Sequence, residues 1–520
     1  MAKIGTGAAE GKRTAYINAN VLDGTEGMEM LENHAVVVEG RRIVDVAPLA
    51  DADLSGCETF DLKGAYLLPG LINMHVHLAG NGKPQKKQRD NEALVRKTMS
   101  NGLTRAVAYR LVSEYARLEL HSGVTTIRTV GGLGDFDTRV RDDAAAGKLE
   151  APRILAANMG ISVPGGHMAG SVAIAASSIP EALAQVETAR LQGVDLVKLM
   201  ITGGVLDAKE KGTPGELKME PDMVRAVCDK AHGLGFIVAA HVESTEGVRV
   251  ALECGVDSIE HGAAPTDEVM RLFKEGNSFL CTTLSPALPY ALFDRSVSCA
   301  SEVEQFNGNM VFEGIIANAK AALEQGVPVA LGNDVGCPWI TQYDFWRELC
   351  YFVKYCGVTP AFALHTATLL NARLAGIDGE TGSIEATGHK CLALPGKNGK
   401  IPARQIRKAV EEHRAVNFAA RYKIVHTVER FEIRGLAAAR GADERRDLVG
   451  KNVRIDAVER LKCAVAKVEL FGLQNGFHIF YRSFPALRAV SEARRLSASV
   501  STSSTAAMPK AISNLPCSLA

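Results

Sequence analysis

The chain has 520 residues, 47% of them apolar and 23% charged, a composition that excludes wholesale disorder. Its length exceeds one small domain but suits a barrel with accessory segments. Lys and Arg number 59, as do Asp and Glu, so no net field points to nucleic acid or an acidic membrane as partner. The balance is local as well as global only in part. From Thr387 onward there are 24 Lys and Arg against 11 Asp and Glu, a net +13 that the first 386 residues offset with −13.

The 11 cysteines are odd in number and form no CxxC pair. They read as reduced thiols of a cytoplasmic protein, not as a disulfide framework or a zinc-thiolate site. MAKIGTGAAEGKRTAYINAN has no apolar core of a secretory signal, and no stretch of about 18 apolar residues would span a membrane.

The opening is strand-like: Thr14–Val21 and Ala35–Val38 are β-branched runs, and GRRIVDVAP reads as a turn at Gly40 followed by a strand. Beyond Leu62, KGAYLLPGLINMHVHL leads through a turn into an apolar strand. From there to about residue 375, apolar strands alternate with amphipathic helices, the signature of repeated βα units. The strands are expected at Gly70–His77, Val124–Val130, Arg153–Ala157, Asp195–Ile201, Phe236–His241, Asp257–Glu260, Ser278–Thr282 and Val329–Asn333. Met223–Leu234 and Val311–Glu324 are two of the intervening helical patterns. Near-continuous apolar strands are those buried on both faces. Eight such units over roughly 310 residues fit a closed (β/α)8 TIM barrel better than an open doubly wound sheet. No GxGxxG or Walker loop follows the first strand, which weakens a nucleotide-binding reading. Residues 400–470 hold basic, helical-looking stretches, and from Ser497 a Ser/Thr/Ala/Pro-rich composition predicts disorder.

In such barrels the chemistry sits at the C-terminal ends of the strands. Strand one ends in His75-Val76-His77, two imidazoles on one face because strand residues two apart point the same way. Strand four carries Lys198 inside DLVKLMITGG; strands five, six and eight end at His241, His261 and Asp334. Singly, each has an ordinary explanation: a core histidine bonded to backbone carbonyls, a snorkelling lysine, a turn at GND. Six ionisable groups at the mouth of one barrel are another matter, since unpaired buried charge costs several kcal/mol. Together they form a ligand set for Zn²⁺ or a similar divalent ion.

The motifs LPGLINMHVHL, VKLMITGG, AAHVES, SIEHG and LGND resemble the metal-dependent amidohydrolase superfamily over roughly residues 14–386. More narrowly they resemble its imidazolonepropionase-like subgroup, with the Xaa-Pro and Xaa-Arg/Lys dipeptidases and the ochratoxin-hydrolysing amidases. That resemblance implies a small β-sandwich built from the chain termini beside the barrel. Residues 1–66 would supply its N-terminal part, 67–375 the barrel, 376–386 the start of the return, and 387–520 an atypical basic tail. It also implies two metal ions: His75, His77 and Asp334 on one, His241 and His261 on the other, and an N6-carboxylated Lys198 joining them. A lysine ammonium beside two cations would be repelled, whereas addition of CO₂ makes it a bridging anion. Catalytic roles fall to Asp334 and His261, with Asp334 as general base and then acid toward a metal-bridging hydroxide.

The expected activity is hydrolysis of amide bonds in dipeptides or N-acyl amino acids, by a dipeptidase-like, cytoplasmic zinc hydrolase that forms a homo-oligomer. Hydrolysis of a cyclic amide, lactone or phosphotriester is the alternative, and a catalytically inactive oligomeric scaffold is a third reading. His167, in ISVPGGHMAG, is a candidate for contacting the substrate carbonyl or carboxylate, or else a solvent-facing loop residue. Arg128, in TTIRTVGG, is either a substrate-carboxylate anchor or a partner of a buried acid. Gly80–Asn101 reads as a lid-like insertion. The aromatic run GCPWITQYDFWRELCYFVKYCG would line the pocket, form an oligomer contact or pack a helix on the barrel. After GETGSIEA the chain departs from the family pattern exactly where the charge inverts, which suggests an altered reading frame, an unspliced segment or a fusion rather than a family domain.

Overall fold

The computed structural model describes residues 13–84 and 90–386, all within one compact unit. The expected basic helices, the disordered end and the rest of the tail from 387 lie outside the described residues. Strands β1 (Arg13–Leu22), β2 (Met30–Glu39), β3 (Arg42–Pro48), β4 (Cys57–Asp61) and β5 (Tyr66–Leu67) form an N-terminal sheet. Its order is β3-β2-β1-β4, with β5 also paired to β1; β2 is antiparallel to β1, while β4 and β5 are parallel to it. The β-branched runs read from the sequence supply its core: Val21, Val36, Val38 and Ile43 are buried together. Ile384 joins that cluster, and its N–H donates to Asp23 O at 2.8 Å. The chain therefore returns to the first sheet after completing the barrel, crossing it so closely that any side chain at Gly24 would strike the Gly382 carbonyl.

The barrel follows in chain order. β6 (Leu71–Val76) leads into helices α1 (Asn91–Met99) and α2 (Gly102–His121); β7 (Val124–Thr129) into α3 (Phe136–Ala145). After β8 (Arg153–Ala156) come two short strands, β9 (Gly160–Ser162) and β10 (Ala173–Ala175), then α4 (Ile179–Leu191). β11 (Leu196–Met200), α5 (Pro221–Gly233), β12 (Ile237–Val242), α6 (Thr245–Glu253), β13 (Ser258–His261), α7 (Asp267–Gly276) and β14 (Phe279–Thr282) are plain βα repeats. α8 (Leu288–Leu292), α9 (Arg295–Ser298) and α10 (Glu302–Glu324) precede the last strand, β15 (Val329–Leu331). Each of the eight expected barrel strands is present, shifted by no more than two or three residues at its ends. Helix starts obey local chemistry: Asn101, Ser178, Ser244 and Thr266 cap α2, α4, α6 and α7 through side-chain oxygens. Ser301 and Glu304 form a full capping box at α10, which is why that helix begins nine residues before the apolar pattern at Val311.

Parallel ladders run β6-β7-β8 and β9-β11-β12-β13-β14-β15. Two seams join them. At one, Asp195 N–H donates to Ala156 O at 2.8 Å, tying β8 to the start of β11. At the other, Val76 bridges Val335, Asp334 N–H donates to His75 O at 3.0 Å and His77 N–H to Val335 O at 2.9 Å. Asn371 locks this second seam from outside, donating to Ile72 O and Leu331 O at 2.7 and 2.9 Å and accepting from Leu331 N–H at 3.0 Å. The layer between sheet and helices is mainly apolar, with Val197, Leu199, Val238, Ala240 and Ile259 facing the helical ring.

Of the insertion expected at 80–101, the described residues include α1, whose Asn91, Leu94, Val95 and Thr98 line the cavity at the barrel mouth. Among the described residues no helix is long and apolar enough to cross a membrane, and all eight cysteines are free thiols.

Replacing Asn371 by Ala leaves one N–H and two carbonyls of the seam unsatisfied in the core. The variant should lose about 3 kcal/mol of stability, read as a lower urea midpoint at unchanged slope.

Candidate active site

Five elements bring the candidate residues to the barrel mouth. His75 and His77 come from the end of β6, Lys198 from the middle of β11, His241 from the end of β12, His261 from the last position of β13 and Asp334 from just beyond β15. His75, Lys198, His241, His261 and Asp334 are all buried, and His77 is nearly so. The imidazoles of His75 and His77 approach Asp334 Oδ1 through their Nε2 atoms, at 3.6 and 3.2 Å. Ring centroids step round the site at 5.3 Å from His75 to His77, 4.9 Å from His75 to His261 and 4.7 Å from His261 to His241. Ligand atoms of His75, His261 and Asp334 lie within 4.8 Å of one another, as do those of His241, Glu243 and His261.

What makes this a ligand set is the other ring nitrogen. His75 Nδ1 is engaged by Glu260 Oε2 at 2.7 Å, His77 Nδ1 by Gly131 O at 2.8 Å and His261 Nδ1 by Thr283 Oγ1 at 2.6 Å. Each bond spends Nδ1 on the protein and turns Nε2 toward the centre. His241 is the reverse, with Nε2 near Gly203 O at 3.3 Å and Nδ1 left for the site. Burial pushes His75 down to about 4 and, with the neighbouring rings, holds His241 and His261 well below the usual histidine range. Against burial, the bond to Asp334 raises His77. Burial would lift Asp334 too, but His75 and His77 hold its carboxyl well below the usual range. Three neutral imidazoles beside an ionised carboxylate are the protonation states a metal requires.

Lys198 is the exception to local satisfaction. Its Nζ is buried with no hydrogen-bond partner among the described residues, and desolvation lowers it to about 8 despite the pull of Glu260 and Asp334. A lone buried ammonium is costly, so this position calls for a neutral or modified amine.

Backbone strain marks the same place. His261 and Asp334 both hold positive φ, 68° and 56°, a conformation uncommon for non-glycine residues. Gly332 is demanded by proximity: a Cβ there would strike His75.

The sequence left Arg128 between two roles, and the structure places it away from the substrate cavity. It is fully buried, and its Nη2 meets Glu260 Oε1 at 2.7 Å, Nε donates to Met74 O at 2.7 Å and Nη1 to Ser258 Oγ at 3.1 Å. β7 and β13 are not neighbours, so the guanidinium crosses the barrel interior. A substrate-carboxylate anchor it is not; it fixes the acid that orients His75. His167 does reach the site. Its ring stacks on His241 at 3.9 Å with an interplanar angle of 5°, and Asp207 Oδ2 engages its Nδ1 at 2.5 Å.

Three acids at the site were not singled out from the sequence, although Glu243 and Glu260 stand inside the AAHVES and SIEHG motifs. Glu260 sits one residue before His261 and, by strand alternation, points across the barrel. Glu243 lines the cavity, accepts Val205 N–H at 3.0 Å and is pushed up to about 8 by burial. Asp207 lies on the long loop after β11, where no periodicity gives its direction. The aromatic run divides: Trp339 lines the cavity, while Phe345, Leu349 and Phe352 are buried in helix packing.

Residues 66–388 match the model of the Amidohydrolase family, and 15–67 that of the NagA composite domain. The chain belongs to the amidohydrolase family. It is 32% identical to the solved structure of a Bifidobacterium longum protein, covering 77% of this chain and 98% of that one at a TM-score of 0.63. A Xaa-Pro dipeptidase solved with methionine in its active site is 28% identical, over 73% of this chain and 92% of the other, at a TM-score of 0.64. Imidazolonepropionase from Erwinia tasmaniensis is 25% identical over 414 residues, 74% of this chain and 94% of the relative. Membership makes the chain a hydrolase of carbon–nitrogen bonds on a TIM-barrel scaffold.

Removing the guanidinium leaves Glu260 as a bare buried charge. Arg128→Ala should therefore cost about 3–5 kcal/mol in chemical denaturation, and the double change Arg128→Met, Glu260→Gln should cost less than that single one.

Proposed function

We propose that this chain is a metal-dependent hydrolase of amide bonds in dipeptides or N-acyl amino acids, working through two divalent ions, zinc by the donor set, joined by an N6-carboxylated Lys198. One observation carries the reading: imidazoles whose outer nitrogens are already engaged converge on Asp334 beside a buried, unpartnered Lys198 amine. The residues present fit the ions. His75, His77 and Asp334 would hold one, His241 and His261 the other, and the carbamate oxygens of Lys198 would give the orphaned amine its role. Glu243, beside His241 and His261, is a further donor within reach. When bound, such ions polarise a carbonyl and make water acidic near neutral pH.

The remaining steps belong to side chains. Asp334, kept ionised by its histidines, accepts a proton from the attacking water and returns it to the departing nitrogen. His167, braced by Asp207 and stacked on His241, stands where it can hold the substrate carbonyl or carboxylate. Burial of the cluster excludes bulk water and strengthens each of these interactions. Likeness to the Xaa-Pro dipeptidase supports the choice of a dipeptide-like amide, and the buried, unpartnered lysine amine supports a paired-ion site.

Protein prepared with zinc and bicarbonate should hold about two metal equivalents per chain by elemental analysis and cleave members of a dipeptide and N-acyl amino acid panel. A chain that stays folded, binds no divalent ion and is fully active would overturn the reading. Lys198→Ala should lower kcat/KM more than about 100-fold and reduce bound metal. Asp334→Asn should abolish turnover while substrate still binds, read as lost kcat with little change in ligand affinity.

Chelation supplies a check independent of turnover. Metal at about a thousandfold excess over its Kd stabilises the folded state by about 4 kcal/mol, so stripping it should lower the thermal midpoint, and readdition should restore it.

A further inference from the structure

The cavity above the cluster is about 790 Å³, ample for more than a small dipeptide, and its walls are unevenly made. Acid and imidazole gather at its floor. The walls are apolar, contributed by Leu94 of α1, Leu111 and Tyr115 of α2, Leu206 after β11 and Trp339 after β15.

The three leucines are half-exposed. Leu94, Leu111 and Leu206 are 50%, 48% and 48% exposed, yet all three line this one cavity instead of lying scattered over the surface. α1 buries no residue of its own, so nothing in the packing of that helix calls for a leucine at 94. Trp339 is stranger still. It holds φ at 77°, a conformation a bulky residue adopts only under constraint, and its ring meets Phe293 edge-on at 5.4 Å. A strained tryptophan, braced and presented to a cavity opposite exposed leucines, is a surface made to be covered by apolar matter. The carboxyl, amine and imidazole groups described in the lining are those of Glu243, Glu304, Asp334, Lys198, His75, His77, His167, His241 and His261. The basic groups among them are at or beside the reacting centre.

From this we infer that the preferred substrate is an amide carrying one large uncharged apolar group, an aryl ring or a medium-length acyl chain, seated against Leu94, Leu111 and Trp339. The inference rests on the amide-hydrolase reading and names the substrate class for that site. The polar end lies by His167 and the scissile carbonyl over the histidine cluster. Covering half-exposed leucines and an indole favours long groups by a factor that grows with each methylene buried.

The test uses the full chain loaded with metal. kcat/KM is measured for the acetyl, butyryl and octanoyl forms of one N-acyl amino acid, and for acetyl amides of ammonia, butylamine and aniline. At least one series should climb by about 30-fold or more from its smallest to its largest member. Leu94→Ser with Leu111→Ser should shrink that ratio about tenfold or more. A flat response in both series, or an unchanged ratio in the double variant, overturns the inference. Binding is read separately by quenching of Trp339 in a Trp346→Phe background with octanoyl anilide. If no amide is cleaved, the hydrolase reading fails, and this measurement decides: quenching that the double serine variant loses upholds the apolar subsite, and no quenching overturns it.

Discussion

A lysine amine buried at the mouth of a barrel, with no hydrogen-bond partner among the described residues, is the constraint that organises the site around it. As an ammonium it would stand in low dielectric within the field of Arg128 and of any cation its histidine neighbours collect. The surroundings resolve this in one direction. Every histidine around it has a ring nitrogen bonded outward, Asp334 is held ionised, and the amine is driven toward neutrality. Each of those features is costly in an empty core and sensible beside divalent ions.

The support for this arrangement extends down the barrel. Arg128 reaches from β7 to Met74 O on β6 and to Ser258 and Glu260 on β13, and Glu260 passes the constraint to His75. One guanidinium thus ties three strands and sets the orientation of one imidazole. The exchange is typical of a site built on rigid elements: the strands supply position, the buried ion pair supplies direction, and strained backbone at His261 and Asp334 supplies the final aim. Seam hydrogen bonds through Asn371 and Asp334 hold β6 and β15 together, so His75 and Asp334 keep their spacing although 259 positions separate them in the chain.

Much of this was legible in the amino-acid sequence, for a definite reason. A parallel barrel strand is short, apolar and buried on both faces, so any ionisable residue in it stands out. His75, Lys198, His241, His261 and Asp334 were visible because polarity breaks an apolar run. The same rule explains the omissions. Glu260 was masked by the ligand beside it, since strand alternation would send one of two neighbours outward, and the positive φ of His261 is what lets both reach the barrel interior. Asp207 and the three-residue strands flanking the His167 loop carry no period at all. Arg128 was visible but ambiguous: a charge at a strand end can face substrate or lumen, and only the position of Glu260 across the barrel decides it. Gly80–Asn101 was read as a polar insertion because its first half is rich in Lys, Gln and Asn, and the lone leucine of α1, Leu94, acquires meaning only when it is seen lining the cavity.

That last point bears on how specificity and chemistry are divided in this fold. The groups that would hold metal and move protons come from strand ends and from the turn beyond β15, fixed by ladders and by a buried ion pair. The apolar walls come from the loops after β6, β11 and β15, where α1 buries nothing and Trp339 is held in a strained turn. Substitution in those walls disturbs little packing, whereas a change at Glu260 or Asn371 propagates into the barrel. A scaffold arranged in this way can alter which amide it accepts without altering how it cleaves one. The half-exposed leucines are the physical trace of that separation: residues tolerated at an energetic cost in the free protein because a ligand, not the fold, completes their burial.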